Sequence, residues 1–194
     1  MVKEERYENK IHCSCCSCVR LAALLSLPAH ENGADADLPV LTTSAGQSAD
    51  INTLNILMDR AGIGYDYCDV PTVEMLKQGV GLGGREESEG FHVKIKTDLE
   101  TYPRGTPYET VIFAIGASTK GMGASGLTVN DEVKRVEKII DYCEEHDIFI
   151  IAVHPGGQAR RGAKGSDNEK MIDAVAPRAD YIIVEESSDA DGRF

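Results

Sequence analysis

The sequence predicts an α/β fold, built on a doubly wound, parallel sheet of five strands that is flavodoxin-like or Rossmann-like. Two observations predict it. Short apolar runs, typical of strands buried on both faces, alternate along the chain with stretches of helical period. Alternating strands and helices form parallel sheets with right-handed crossovers. A strand–helix–strand start favours the strand order 2-1-3-4-5, and such sheets bind ligands outside the carboxyl ends of their strands.

The strands are predicted from apolar, β-rich runs. They cover residues 38–43, 65–70, 110–115, 148–153 and 180–184. Residues 78–107, which hold six glycines, form a long excursion between strands 2 and 3, with the alternating segment 92–96 as a possible hairpin. Loops of that length are usually functional or mobile.

The predicted helices fill the gaps between the strands. They cover residues 49–61, 71–77, 128–146 and 166–175. Ser48 is a suitable N-cap for the first helix, and Gly62 a suitable stop. Thr128 and Ser166 each precede an acidic residue by three positions, which is typical of a helix start.

Residues 1–37 form a leader and linker ahead of a single domain at residues 38–194. Basic residues precede the apolar stretch 21–29, and an A-x-A pattern ends at Ala36. This arrangement predicts a signal peptide cleaved after Ala36, hence a periplasmic or extracellular protein. Glu4, Glu5 and Glu8 are unusual in such a signal, so a cytoplasmic protein with a disordered leader is the alternative.

The leader also contains four of the six cysteines, Cys13, Cys15, Cys16 and Cys18. A C-x-x-C spacing is half of a zinc or iron–sulfur site. Four thiolates within six residues do not surround one ion without strain, and no second pair completes the site. We therefore expect no metal and no folded role for the leader, and we expect Cys68 and Cys143 to be core residues.

The net charge of −12 excludes some classes of partner. Phosphate backbones and anionic lipid surfaces would be repelled. The chain has no Trp for stacking bases, and no apolar run reaches the roughly 18 residues of a membrane span. We expect no nucleic-acid partner and no membrane span in the mature domain, while a homo-oligomer stays open.

Three glycine-rich or serine-rich loops follow predicted strands and should meet at one sheet edge. Arginine forks bind carboxylate or phosphate, and exposed backbone N–H groups suit an anion. The sequence therefore predicts a site for a small anionic molecule. Its expected residues are Ser44, Gln47, Ser48, Ser118, Lys120, Gly121, Gly123, His154, Gly156, Gly157, Arg160 and Arg161.

Other interpretations of these loops stay open. Gly121, Gly123 and Gly126 match a dinucleotide-binding motif, but they do not lie in the first strand–helix turn, so we expect no cofactor. The arginines could instead pair with the acidic tail and fix it in place. His154 and a nearby serine could serve a hydrolase or transferase, although no G-x-S-x-G elbow is present. The chain could also be an oligomeric interaction module without a ligand.

The same loops resemble an uncharacterised bacterial family, domain-of-unknown-function family 6305. The resemblance rests on segments 38–48, 116–126, 154–162, 174–185 and 191–194, which run in order across the predicted domain. It implies an N-terminal export signal, in agreement with cleavage near Ala36, and it implies no particular activity. The cysteine-rich leader and the long excursion depart from the family pattern.

Overall fold

The computed structural model describes residues 10–13, 36–85 and 92–194, and of residues 10–13 only the backbone. Seven strands and five α-helices lie within these ranges. They are β1 Lys10–Cys13, β2 Val40–Ala45, α1 Asp50–Ala61, β3 Tyr65–Cys68, α2 Val73–Lys77, β4 Val93–Ile95, β5 Thr110–Ile115, α3 Thr119–Ala124, α4 Val129–Glu145, β6 Phe149–His154, α5 Asp167–Val175 and β7 Tyr181–Glu185.

The strands form one mostly parallel sheet in the order β1-β7-β6-β5-β2-β3-β4, which confirms the α/β class. The predicted count of five strands is wrong. β4 is an additional strand from the long excursion, and it pairs antiparallel with β3 through Asp66–Cys68. β1 is a further one, parallel to β7, although we expected no folded role for the leader. Both pair with the free backbone groups of a strand that would otherwise end the sheet.

Apolar side chains fill both faces of the sheet. On one face Val136 and Ile139 of α4 pack with Met171 and Ile172 of α5 in a large core. On the other face Ile51, Leu54 and Met58 of α1 pack on residues of β2, β5 and β6. β5 is buried along its whole length, which explains why its sequence is apolar without alternation.

The helix ends agree with the sequence in part. The capping box of Thr128 and Asp131 at the start of α4 is present, and Gly62 ends α1 with a φ of 69°. Ser48, however, is not the N-cap of α1. Ala49 takes that position without a side-chain cap, and the Ser48 hydroxyl bonds to Asp50 two residues later.

The two cysteines of the described domain are core residues, as predicted. Cys68 and Cys143 are buried and free, and burial raises the pKa of each thiol to about 12. The predicted cleavage site after Ala36 adjoins residues 14–35, which lie outside the described ranges together with Cys15, Cys16 and Cys18. No helix in the described ranges has both the length and the apolar character needed to cross a membrane.

Candidate functional site

The loops after β2 and β5 meet directly at the carboxyl edge of the sheet. Ser118 donates its N–H to the Gly46 carbonyl at 2.7 Å, and Gln47 and Ala117 form an isolated bridge. Gly46 has a φ of 106°, and a Cβ there would lie 2.4 Å from the Gly116 oxygen. Only glycine fits so close an approach. Backbone atoms therefore occupy the space between the ends of these two strands, at the sheet edge where the sequence predicts the anion site.

The Gln47 side chain connects two segments of the chain at this edge. Its amide nitrogen donates to the Asp69 carbonyl at 2.8 Å and to the Glu132 carboxylate at 3.1 Å. Its φ of 55° is left-handed, and the two bonds hold the residue in that conformation. Both amide hydrogens thus serve the fold, so this predicted site residue offers no donor to a ligand in the present arrangement.

A buried ion pair on α4 holds the same turn from one face of the sheet. Glu132 is fully buried and accepts from Gly46 N at 2.9 Å and from Arg135 at 2.9 and 2.8 Å. Arg135 also donates to the Ser44 carbonyl at 2.5 Å. Burial raises the pKa of Glu132, but the hydrogen bonds and the charge of Arg135, together with the bonds from Gly46 and Gln47, outweigh it, and the pKa is lowered.

This pair was not predicted from the sequence. Its only signal was an acid followed three residues later by a base on the predicted long helix, and such pairs are usually exposed. Two groups near it lack partners among the described residues. The Ser44 hydroxyl and the Nη1 atom of Arg135 are both buried without a hydrogen bond.

The segment after β5 was predicted to be a loop, but α3 occupies six of its residues. Ser118 caps this helix by accepting from Gly121 N at 3.1 Å. A Cβ on Gly121 would lie 2.0 Å from the Gln47 oxygen, so this glycine lets α3 approach the turn after β2. Gly123 faces open space. Lys120 is exposed and forms no ion pair within the described residues.

Arg161 fixes the carboxyl-terminal tail. Its Nε bonds to Glu169 at 2.7 Å, and its Nη1 bonds to the Ser188 carbonyl at 2.5 Å and to Asp191 at 3.0 Å. Its Nη2 bonds to Asp191 and Glu169 at 3.2 and 3.4 Å. All three nitrogens are engaged, and only 8% of the side chain is exposed. The interpretation that an arginine of this loop pairs with the tail is confirmed for Arg161.

Arg160 is placed differently. Its Nε lies 3.4 Å from the Asp50 carboxylate, 36% of its side chain is exposed, and its two terminal nitrogens bond to no described residue. Gly156 makes room for it, since a Cβ there would lie 2.1 Å from the Arg160 Cγ. The loop after β6 thus presents one arginine to solvent and turns the next one inward.

His154 ends β6 inside the protein. Its Nδ1 lies 2.8 Å from the Ser188 hydroxyl, and its ring packs against Phe194 with centroids 5.2 Å apart. Burial lowers the pKa of His154, against the backbone of Arg160 and the charge of Asp50, which raise it. The Nε2 atom is buried and has no hydrogen-bond partner in the part of the chain that the structure describes. Gly157 has a left-handed φ of 63°, and a Cβ there would lie 2.6 Å from the Glu185 Oε2 atom.

Six of the twelve predicted site residues fall into two groups. The three loops that carry them do come together at the carboxyl edge. Gln47, Ser48, Arg161 and His154 bond mainly within the protein, whereas Arg160 and Lys120 keep cationic groups without a full set of partners. In the described ranges no three His, Cys, Asp or Glu side chains are grouped as metal ligands would be.

Comparison with known proteins identifies a family. The family model described as Domain of unknown function (DUF6305) matches residues 37–194. No curated protein and no solved structure matches the chain. The match covers the whole predicted domain, including the three loops at the carboxyl edge of the sheet.

Proposed function

The chain belongs to the DUF6305 family, which is described as a domain of unknown function. We therefore propose for this domain the function that its own geometry supports best. It binds a small anionic molecule, a carboxylate or a phosphate, at the carboxyl edge of the sheet, with Arg160 as the principal contact. The observation that carries the proposal is that the two terminal nitrogens of Arg160 bond to no described residue, whereas all three nitrogens of the next arginine are engaged. Two parallel N–H donors of a guanidinium match the two oxygens of a carboxylate.

The surroundings of Arg160 favour an anion in two further ways. Lys164 in the same loop and Lys120 on α3 are exposed without ion pairs in the described residues, so they add positive charge at an edge of an acidic protein. Their field would attract an anion during encounter. The ion pairs of Arg161 with Glu169 and Asp191 hold the loop in place. The loop therefore loses less conformational entropy when a ligand binds.

Isothermal titration calorimetry with a panel of carboxylates and with inorganic phosphate tests the proposal. Arg160→Gln removes the charge and keeps much of the side-chain length. Loss of its charged hydrogen bonds should weaken binding about 10- to 100-fold, since such bonds contribute about 1.5–3 kcal/mol. Lys138→Gln, on the exposed side of α4, removes the same charge elsewhere and should leave affinity unchanged.

The outcome that refutes the proposal is equally defined. If Arg160→Gln remains folded by circular dichroism and binds every anion of the panel as the unaltered chain does, Arg160 is not the contact. The same conclusion follows if neither chain binds any member of the panel.

A hydrolase or transferase that uses His154 draws less support from the geometry. Ser188 is the serine in contact with His154, and both side chains are fully buried, so neither is open to a substrate as the tail lies. An activated serine must be reachable by the bond that it attacks. Turnover of an ester panel that disappears in His154→Gln would favour this alternative, and turnover that survives the change would exclude it.

A further inference from the structure

Asp50 gives the surroundings of Arg160 a second, opposite charge. Its Oδ2 lies 3.4 Å from Arg160 Nε and accepts from the Ser48 hydroxyl at 2.8 Å. Its Oδ1 makes no hydrogen bond with the described residues, and 12% of the side chain is exposed. The pair therefore keeps unused donors on the guanidinium and an unused acceptor on the carboxylate, side by side.

Two glycines make space for this pair. A Cβ on Gly116 would lie 2.2 Å from Asp50 Oδ2, and a Cβ on Gly156 would lie 2.1 Å from the Arg160 Cγ. The glycines follow β5 and β6, whereas Asp50 begins α1 after β2. Segments after three neighbouring strands thus combine to seat one acid and one base, which is more than a surface contact between two flexible side chains.

We propose that the ligand is a zwitterion in which an ammonium group lies next to the acid group, as in an α-amino acid; this inference rests on the proposed function. Its carboxylate bonds to the terminal nitrogens of Arg160, and its ammonium bonds to Asp50 Oδ1. Buried and half-buried polar groups discriminate strongly between ligands that satisfy them and ligands that do not.

Simple anions fit this arrangement less well. An anion placed on Arg160 lies within a few ångströms of the Asp50 carboxylate, and like charges at that distance repel by an amount that grows as water is excluded. The repulsion is largest for a phosphate dianion. Asp50 also lies in the first turn of α1, where the helix dipole interacts favourably with its negative charge. An ammonium group on the ligand converts the repulsion into a second attraction.

Matched pairs of ligands test the inference on the full chain. The probes are α-amino acids with small, apolar, acidic and basic side chains, each compared with the same acid without its amino group, and inorganic phosphate. Affinities are measured by calorimetry for the unaltered chain, Arg160→Gln, Asp50→Asn and Asp147→Asn. Asp147 is exposed, has a left-handed φ of 55° that Asn tolerates, and precedes the opposite end of β6.

We expect at least one α-amino acid to bind about 10-fold or more tightly than its partner without the amino group. Asp50→Asn should weaken the amino acid about 10- to 100-fold and leave the simple acid unchanged or tighter. Arg160→Gln should weaken both, and Asp147→Asn neither. Equal affinity within every pair, or equal weakening of both members by Asp50→Asn, would overturn the inference and leave the anion site standing. Absence of any binding would remove the proposed function itself.

Discussion

Replacement of Glu132 by Gln should destabilise the domain far more than an ordinary substitution on a helix. The carboxylate is fully buried and accepts four hydrogen bonds, from Gly46 N, from the Gln47 amide and two from Arg135. A Gln side chain keeps one acceptor oxygen but loses the charge. The Arg135 guanidinium, with 9% of its side chain exposed, would then stay buried with the Ser44 carbonyl as its other acceptor.

The magnitude follows from that uncompensated charge. Removing one member of a buried ion pair costs about 3–5 kcal/mol, because the other member keeps its desolvation penalty. The remaining bond to Ser44 offsets part of it, so we expect a loss of about 3 kcal/mol in the free energy of unfolding. A double variant, Glu132→Gln with Arg135→Met, should recover part of this loss, because it removes the unpaired charge as well.

Urea denaturation followed by far-UV circular dichroism measures the effect, since the chain has no Trp for fluorescence. Glu137→Gln, the same change at an exposed position of α4, is the matched control and should shift stability by less than about 0.5 kcal/mol. A loss of about 1 kcal/mol or less for Glu132→Gln would refute the reasoning, since that is the value of an exposed pair.

The pKa of Glu132 adds a second test with a defined sign. Its pKa is lower in the folded chain than in the unfolded chain, so the stabilisation is present at neutral pH. It is lost as pH falls below the ordinary glutamate pKa of about 4.3 and through the folded value. The unaltered chain should therefore lose more stability between pH 6 and acid pH than Glu132→Gln does. Parallel stability curves for the two chains would contradict this.

Three further predictions concern the loops. Arg161→Ala should lower the free energy of unfolding by about 3 kcal/mol and Arg160→Ala by less than about 1 kcal/mol, as measured by urea denaturation; equal losses would contradict the assigned roles. Gly121→Ala should destabilise the domain by about 1–3 kcal/mol, because the new methyl group would collide with the turn after β2. Gly123→Ala, which faces open space, should stabilise it by about 0.5–1 kcal/mol. Thermal denaturation should therefore show a lower midpoint for the first variant and a higher one for the second. His154 has a lowered pKa, so the folded chain keeps it neutral while the opened chain takes up a proton below the ordinary histidine pKa of about 6.5. The tail should therefore open more readily as pH falls below that value, and hydrogen exchange of residues 186–194, corrected for its intrinsic pH dependence, should accelerate there; unchanged exchange would oppose this.

The sequence was most informative where burial dictates composition. Strands β5 and β6 coincide almost residue for residue with the predicted apolar runs, because a strand covered on both faces tolerates few polar side chains. β4 was not predicted as part of the sheet, since three residues at an edge, of which only Val93 is buried, follow no strong pattern and depend on the free backbone of β3. α3 was missed for a related reason. Glycines predict a loop, but Gly121 lies in a helix, at a position where the neighbouring turn leaves no room for a side chain.

The same limit applies to the two adjacent arginines. They are equivalent in composition and lie in one basic loop, yet Arg161 is enclosed by acids and Arg160 is half-exposed. What separates them is the position of Glu169 on α5 and of Asp191 in the tail, which reach Arg161 only after β6, α5 and β7 have packed. An arginine whose donors are all engaged holds the loop, and under the proposed function this rigidity would keep its exposed neighbour in position for a ligand. The difference between the two arginines is therefore a property of tertiary packing. The effect of an Arg160 variant on ligand affinity should be measured in a chain where Arg161 is intact.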